Sequence, residues 1–223
     1  MIEFIGVYKF NLRNLNFKIE DREFVNLVGQ GGTGKTTILK LAYGEITPDR
    51  GTIVINPKSQ TPNPNARLRI GYITQSNTFL EDKDVLTNLE FPLKFLGNHN
   101  RQEMLSVLNK LGLDKYCKSK VRDLPCSARQ LLKIALSVVK NPILLLVDEP
   151  LANLDPDQSS TVLTLLKDMH STGTTILLAT SLPVQSETKE LHLINDEIMK
   201  SAPPAAGFPT GFSPEYNSEQ ETS

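Results

Sequence analysis

Residues 29–36 read Gly-Gln-Gly-Gly-Thr-Gly-Lys-Thr, and residues 143–150 read Ile-Leu-Leu-Leu-Val-Asp-Glu-Pro. The first stretch has the spacing of a loop that cradles phosphates. Gly29, Gly31, Gly32 and Gly34 let the backbone curl so that N–H groups face phosphate oxygens, with Gln30, Thr33 and Thr37 completing the set. Lys35 is placed to reach the β- and γ-phosphates, and Thr36 to hold Mg²⁺. The second stretch is a buried strand ending in Asp148, a carboxylate suited to the same cation. Glu149 follows, where it can polarise an attacking water. The two stretches together predict a site for ATP and Mg²⁺.

These residues need a scaffold. Phe24 to Val28 reads as a short strand feeding the glycine loop. Thr36 to Tyr43 reads as a helix whose N-terminus faces the phosphates, where its dipole favours negative charge. Gly44 can end it. Pro48, Asp49 and Gly51 make a turn into a strand from Thr52 to Ile55, and residues 56–66 read as a surface loop. Arg69 to Thr74 reads as a strand ending at Gln75. Asp82 to Lys140 is mostly helical by the spacing of Leu105, Leu108, Leu111, Leu131, Ile134 and Val138. Ser127 and Gln130 have the spacing of a capping box for a helix running to about Val139. Pro156 to His170 reads as a helix capped by Asp155, Thr174 to Ala179 as a buried strand, and Leu191 to Met199 as a hairpin. At the N-terminus, Met1 to Tyr8 reads as an edge strand and Leu15 to Ile19 as another. Residues 201–223 carry Pro, Gly, Ser and Glu with few apolar residues and read as a disordered tail.

Composition narrows the function classes. The 223 residues carry a net charge of −1, with 24 basic and 25 acidic side chains interspersed, so no basic block suggests a nucleic-acid partner. Cys117 and Cys126 lack metal-ligand spacing and fit a reducing compartment. The longest apolar run, Ile143 to Val147, falls far short of the ~20 residues of a membrane span. The expectation is a protein of the cytoplasm, soluble or held at the inner face of the cell membrane by a partner.

The order of these motifs resembles the ATP-binding subunits of ABC transporters, and within them the small cell-division and lipoprotein-release type. The resemblance covers residues 1 to about 200. It rests on the initial strand, the glycine loop, Gln75 after Ile-Gly-Tyr-Ile-Thr, the run from Asp84 to Gly97, the Asp148–Glu149–Pro150 strand end, and Ala-Asn-Leu-Asp-Pro at 152–156. It implies an α/β P-loop NTPase. Such a fold has a RecA-like mixed sheet with helices on both faces, a helical subdomain at about 76–140 and an N-terminal antiparallel β region. It implies head-to-tail dimers, homo- or heterodimeric, that sandwich ATP and drive an integral membrane permease-like subunit. Gln75 would contact Mg²⁺ and the attacking water, and an aromatic, Tyr8 or Phe10, would stack on adenine. Asp155 would touch the opposite subunit while also capping its helix.

Two stretches depart from the family. Where it reads Leu-Ser-Gly-Gly-x-Gln, this chain reads Leu124, Pro125, Cys126, Ser127, Ala128, Arg129, Gln130. Pro125 offers neither hydroxyl nor N–H to a phosphate held by the other subunit, and Cys126 adds a side chain where the phosphate approaches. Where the family places a histidine after Ala-Thr, this chain has Ser181, a shorter donor to the γ-phosphate. His170 and His192 match no part of the motif. The expected activity is ATP binding with slow hydrolysis coupled to a membrane partner. The alternative is a catalytically impaired ATP-binding scaffold or regulator of a membrane or cell-division complex.

Overall fold

The computed structural model describes residues 1–55, 70–74, 79–96, 100–181, 183, 189–194 and 197–200. The expected loop at 56–66, Gln75 and the tail at 201–223 lie outside the described residues.

The central sheet is built from strands that are apolar on both faces. β3 (Phe24–Val28), β6 (Leu144–Asp148) and β7 (Thr175–Thr180) are buried at every position. Such continuous runs belong to parallel strands covered on both sides. With β5 (Ile70–Ile73), β8 (Lys189–Ile194) and β9 (Glu197–Lys200) they form a six-stranded sheet in the order β5-β6-β7-β3-β8-β9. All neighbours are parallel except β8 and β9, which make the terminal hairpin expected from the sequence.

Alternation along β6 divides the core. Leu145 and Val147 join a cluster with α2 (Val85–Leu96), α3 (Arg101–Lys110), α4 (Cys126–Val138) and α5 (Pro156–Ser171). Leu144 and Leu146 face the other side, with α1 (Lys35–Tyr43) and the N-terminal strands. Each fully buried leucine contributes roughly 1.5–3 kcal/mol relative to exposure. The helices that flank the sheet therefore lock its strand ends in place.

A second sheet holds β1 (Ile2–Lys9) between β2 (Leu12–Ile19) and β4 (Arg50–Ile55), all antiparallel. β1 is thus the central strand, where its sequence read as an edge. Its weak alternation comes from register shifts against both neighbours between Phe4 and Lys9. Gly6 lies there at φ 56, and a Cβ on Gly51 would sit 2.2 Å from the Gly6 carbonyl oxygen. The two strands approach too closely there for a regular pleat.

Helix ends follow their local chemistry with one exception. Asp155 accepts from the Gln158 amide at 2.7 Å while Gln158 reaches back to the Asp155 amide, so α5 opens on a full capping box followed by Pro156. The box expected at Ser127 and Gln130 does not form. Pro125 is the N-cap of α4 and contributes no side-chain bond. Gln130 is buried, and its amide donates instead to the Pro150 carbonyl at 2.9 Å. A buried amide must find a partner inside the protein, and that need outweighs a cap at the solvent.

Candidate functional site

Register brings the chemistry to one end of the sheet. Val28 pairs with Thr180, and Asp148 with Ala179, so the carboxyl ends of β3, β6 and β7 lie side by side. Ligands of open α/β sheets bind beyond such ends. The glycine loop leaves β3 there and enters α1 through Gly34, which has φ 103. A Cβ at Gly34 would also meet Leu12 at 2.7 Å, so a larger residue is excluded twice.

A cavity of about 690 Å³ opens at this end. Gly31, Gly32, Gly34, Lys35, Thr36, Thr37, Asp148, Glu149 and Ser181 line it together. Gly29 and Gln30 sit beneath: their carbonyls accept from Lys35 Nζ at 2.5 and 3.0 Å. Thr33 ties the loop by donating its hydroxyl to the Gln30 carbonyl at 2.8 Å. Thr36 Oγ1 donates to Asp148 Oδ2 at 2.8 Å, which joins the loop to β6. Asp148 is almost fully buried, whereas Glu149 turns outward at φ 45, a conformation uncommon for a residue with a side chain. Its amide is held by the Ala179 carbonyl at 3.0 Å. Its carboxylate lies 3.6 Å from Lys35 Nζ and accepts from Ser181 Oγ at 2.6 Å. Backbone strain of this kind gathers where a side chain must be aimed.

Residues 12–152 match the family model described as ABC transporter. The chain belongs to this family. Similar relatives include the cell division ATP-binding protein FtsE of Bacillus subtilis (strain 168), 34% identical over 81% of this chain and 85% of that protein. The lipoprotein-releasing system ATP-binding protein LolD of Anaplasma marginale (strain St. Maries) is 33% identical over 70% of this chain and 73% of that protein. Among solved structures, the dimeric ATP-binding cassette MJ0796, in a post-hydrolysis state bound to ADP and Pi, superposes with a TM-score of 0.79. It is 25% identical and covers 93% of this chain and 100% of that one. As an ABC cassette the chain is a nucleotide-binding subunit with the ATPase activity of its family.

Not every expected site residue of the cassette reaches the cavity. Tyr8 lies on β1 and Phe10 in the turn after it. Both rings are exposed, Phe10 by 74%, and neither lines the phosphate cavity. Lys9 Nζ stands 5.1 Å from the Phe10 ring. His170 packs edge-on against Phe24, and His192 meets Glu190, both away from the cavity.

Among the described residues, Gln130, Lys133, Ala152 and Asn153 also line the cavity. Gln130 was legible only as a cap. Lys133 was overlooked, although it stands one helical turn beyond Gln130 and therefore on the same face of α4. Burial, and then the Arg129 guanidinium, hold the Lys133 ammonium below the ordinary lysine range. Asn153, at φ 63, lies in the Ala-Asn-Leu-Asp-Pro stretch.

Proposed function

We propose that this cassette grips ATP fully from its own side and hydrolyses it slowly, as the inner-face subunit of a membrane complex. The observation that carries the reading is the contrast between two halves of the phosphate chemistry. Lys35, Thr36, Asp148 and Glu149 converge on one cavity. The stretch that a cassette would offer to its dimer partner instead opens α4 with Pro125, which has no N–H, and with an exposed Cys126. Ser181 is engaged with Glu149 rather than standing open toward a phosphate.

Mg²⁺ fits the donors present. A hydroxyl and a carboxylate oxygen, 2.8 Å apart, suit a hard cation. Thr36 and Asp148, with Gln75, would hold it, and it would supply positive charge to the phosphates. The chain's own groups do the rest. Lys35 would leave the Gly29 and Gln30 carbonyls for the β- and γ-phosphate oxygens. The glycine-loop amides at the start of α1 would orient the phosphates. Glu149, aimed by its backbone and held by Ser181, would accept a proton from the attacking water.

Removing one preorganised transition-state donor costs about 3–4 kcal/mol. Two such losses leave binding intact and turnover slow. No helix among the described residues is long and apolar enough to cross a membrane. In this reading a permease-like subunit holds the cassette at the membrane. Residues 1 to about 200 would form the cassette, with the helical subdomain at about 76–140. The altered α4 entry also supports a second reading, an ATP-binding scaffold or regulator of a membrane or cell-division complex without meaningful turnover.

The test is repair. Ser181→His alone should help little. Replacing Pro125, Cys126 and Ser127 by Ser, Gly and Gly should help somewhat. The two together should raise ATP turnover by more than the product of the single effects, because the groups act on one phosphate. Slow turnover in the presence of the membrane partner supports the first reading, and no turnover supports the second. Unrepaired turnover of about 1–1,000 per second would refute both.

A further inference from the structure

The wall of the phosphate cavity includes a lysine that stands outside the motifs quoted above, Lys133. Gln130 fixes one face of α4 to the loop after Glu149 through its bond to the Pro150 carbonyl. Lys133 follows on that face, and it shares a cavity wall with Lys35, Asp148, Glu149 and Ser181. Its side chain also borders a second cavity, of about 240 Å³, beside Tyr72, Asn88 and Ser137. Lys133 thus belongs to the wall of both spaces.

We propose that Lys133 is a phosphate ligand supplied in cis, donating to the terminal phosphate of bound ATP. This rests on the nucleotide reading above. The location argues for the terminal phosphate: Thr36 and Asp148 would hold the metal, and Glu149, which would accept the proton of the attacking water, shares the same cavity. The chemistry argues for an anion. Burial and Arg129 disfavour the charge on Lys133, and a polyphosphate would offset both by bringing negative charge to it. The chain also has a need for such a donor. Pro125 cannot donate, and the Ser181 hydroxyl is already directed to Glu149.

The experiment compares Mg-AMP-PNP with Mg-ADP by calorimetry on the full chain, for the wild type, Lys133→Met, Lys133→Gln and Lys133→Arg. Loss of one charge-assisted bond to the terminal phosphate should weaken AMP-PNP binding about 10- to 100-fold in the Met and Gln variants. ADP affinity should stay within about twofold, which also reports that the variants fold, and Lys133→Arg should retain most of the preference. A measurement on the wild type needs no variant: modification of Lys133 by an amine-reactive ester, read by mass spectrometry, should be slowed by AMP-PNP and not by ADP. Equal losses for both nucleotides, no loss for either, or equal protection by both would overturn the proposal and leave the nucleotide reading standing. Failure of the wild type to bind either nucleotide would overturn the nucleotide reading, and this inference with it.

Discussion

The contact between Gln130 and Pro150 joins the helical block to the turn that aims Glu149, and its worth can be worked out. Gln130 is 7% exposed, Pro150 is buried, and the bond between them is 2.9 Å. Gln130→Leu keeps a side chain of similar reach and removes the donor. The Pro150 carbonyl is then left buried without it, a cost of about 1–3 kcal/mol. For a chain of this size each kcal/mol lowers the midpoint of thermal unfolding by roughly 2–4 °C. The expected drop is therefore about 4–8 °C for the middle of that range. Calorimetry of the apo protein at neutral pH measures it. Gln130→Glu gives a sharper test, because an ionised carboxylate cannot donate and stands in a cavity shared with Asp148 and Glu149. In that variant the folded state favours the protonated acid, which restores a donor. Its deficit relative to the wild type should be largest at neutral pH and shrink as the solution is acidified. A midpoint within 1 °C of the wild type for both variants, at every pH, would refute the idea that this bond ties α4 to the site.

Three other outcomes are expected. Lys35→Ala should weaken MgATP binding by about 2 kcal/mol or more, some 30-fold, in a calorimetric titration, and equal affinity would remove the basis of the functional assignment. Asp155→Ala breaks the capping box of α5 and should cost about 1 kcal/mol, lowering the unfolding midpoint by roughly 2–4 °C. An unchanged midpoint would mean the cap is not stabilising. The two free thiols should react with Ellman's reagent at different rates: Cys126 is exposed, whereas burial, and then the Asp114 charge, push the half-buried Cys117 thiol up. A single common rate that Cys126→Ser leaves unaltered would contradict this.

The glycine loop and the Asp148 strand were legible because short-range spacing encodes them. Phosphate binding requires small residues in a fixed order, and a strand covered on both faces requires an unbroken apolar run. Asp155 was legible for the same reason, since a cap is a local bond. What stayed hidden depended on distant partners. The central place of β1 follows from its pairing with β4, whose residues lie 42 to 53 positions further along the chain, and its own alternation is broken by the close approach at Gly6 and Gly51. Gln130 had two available bonds, one local and one across the fold, and only burial decides between them. Lys133 is one lysine in an apolar helix, which by pattern alone reads as a solvated side chain. The adenine end was legible least: two neighbouring aromatic residues, Tyr8 and Phe10, compete for it, and no local spacing separates them.

The polar groups of the phosphate site bond to one another. Lys35 rests on two loop carbonyls, the Thr36 hydroxyl on Asp148, and the Ser181 hydroxyl on Glu149. Nucleotide binding is therefore an exchange of partners, and its free energy is a difference between two bonded states.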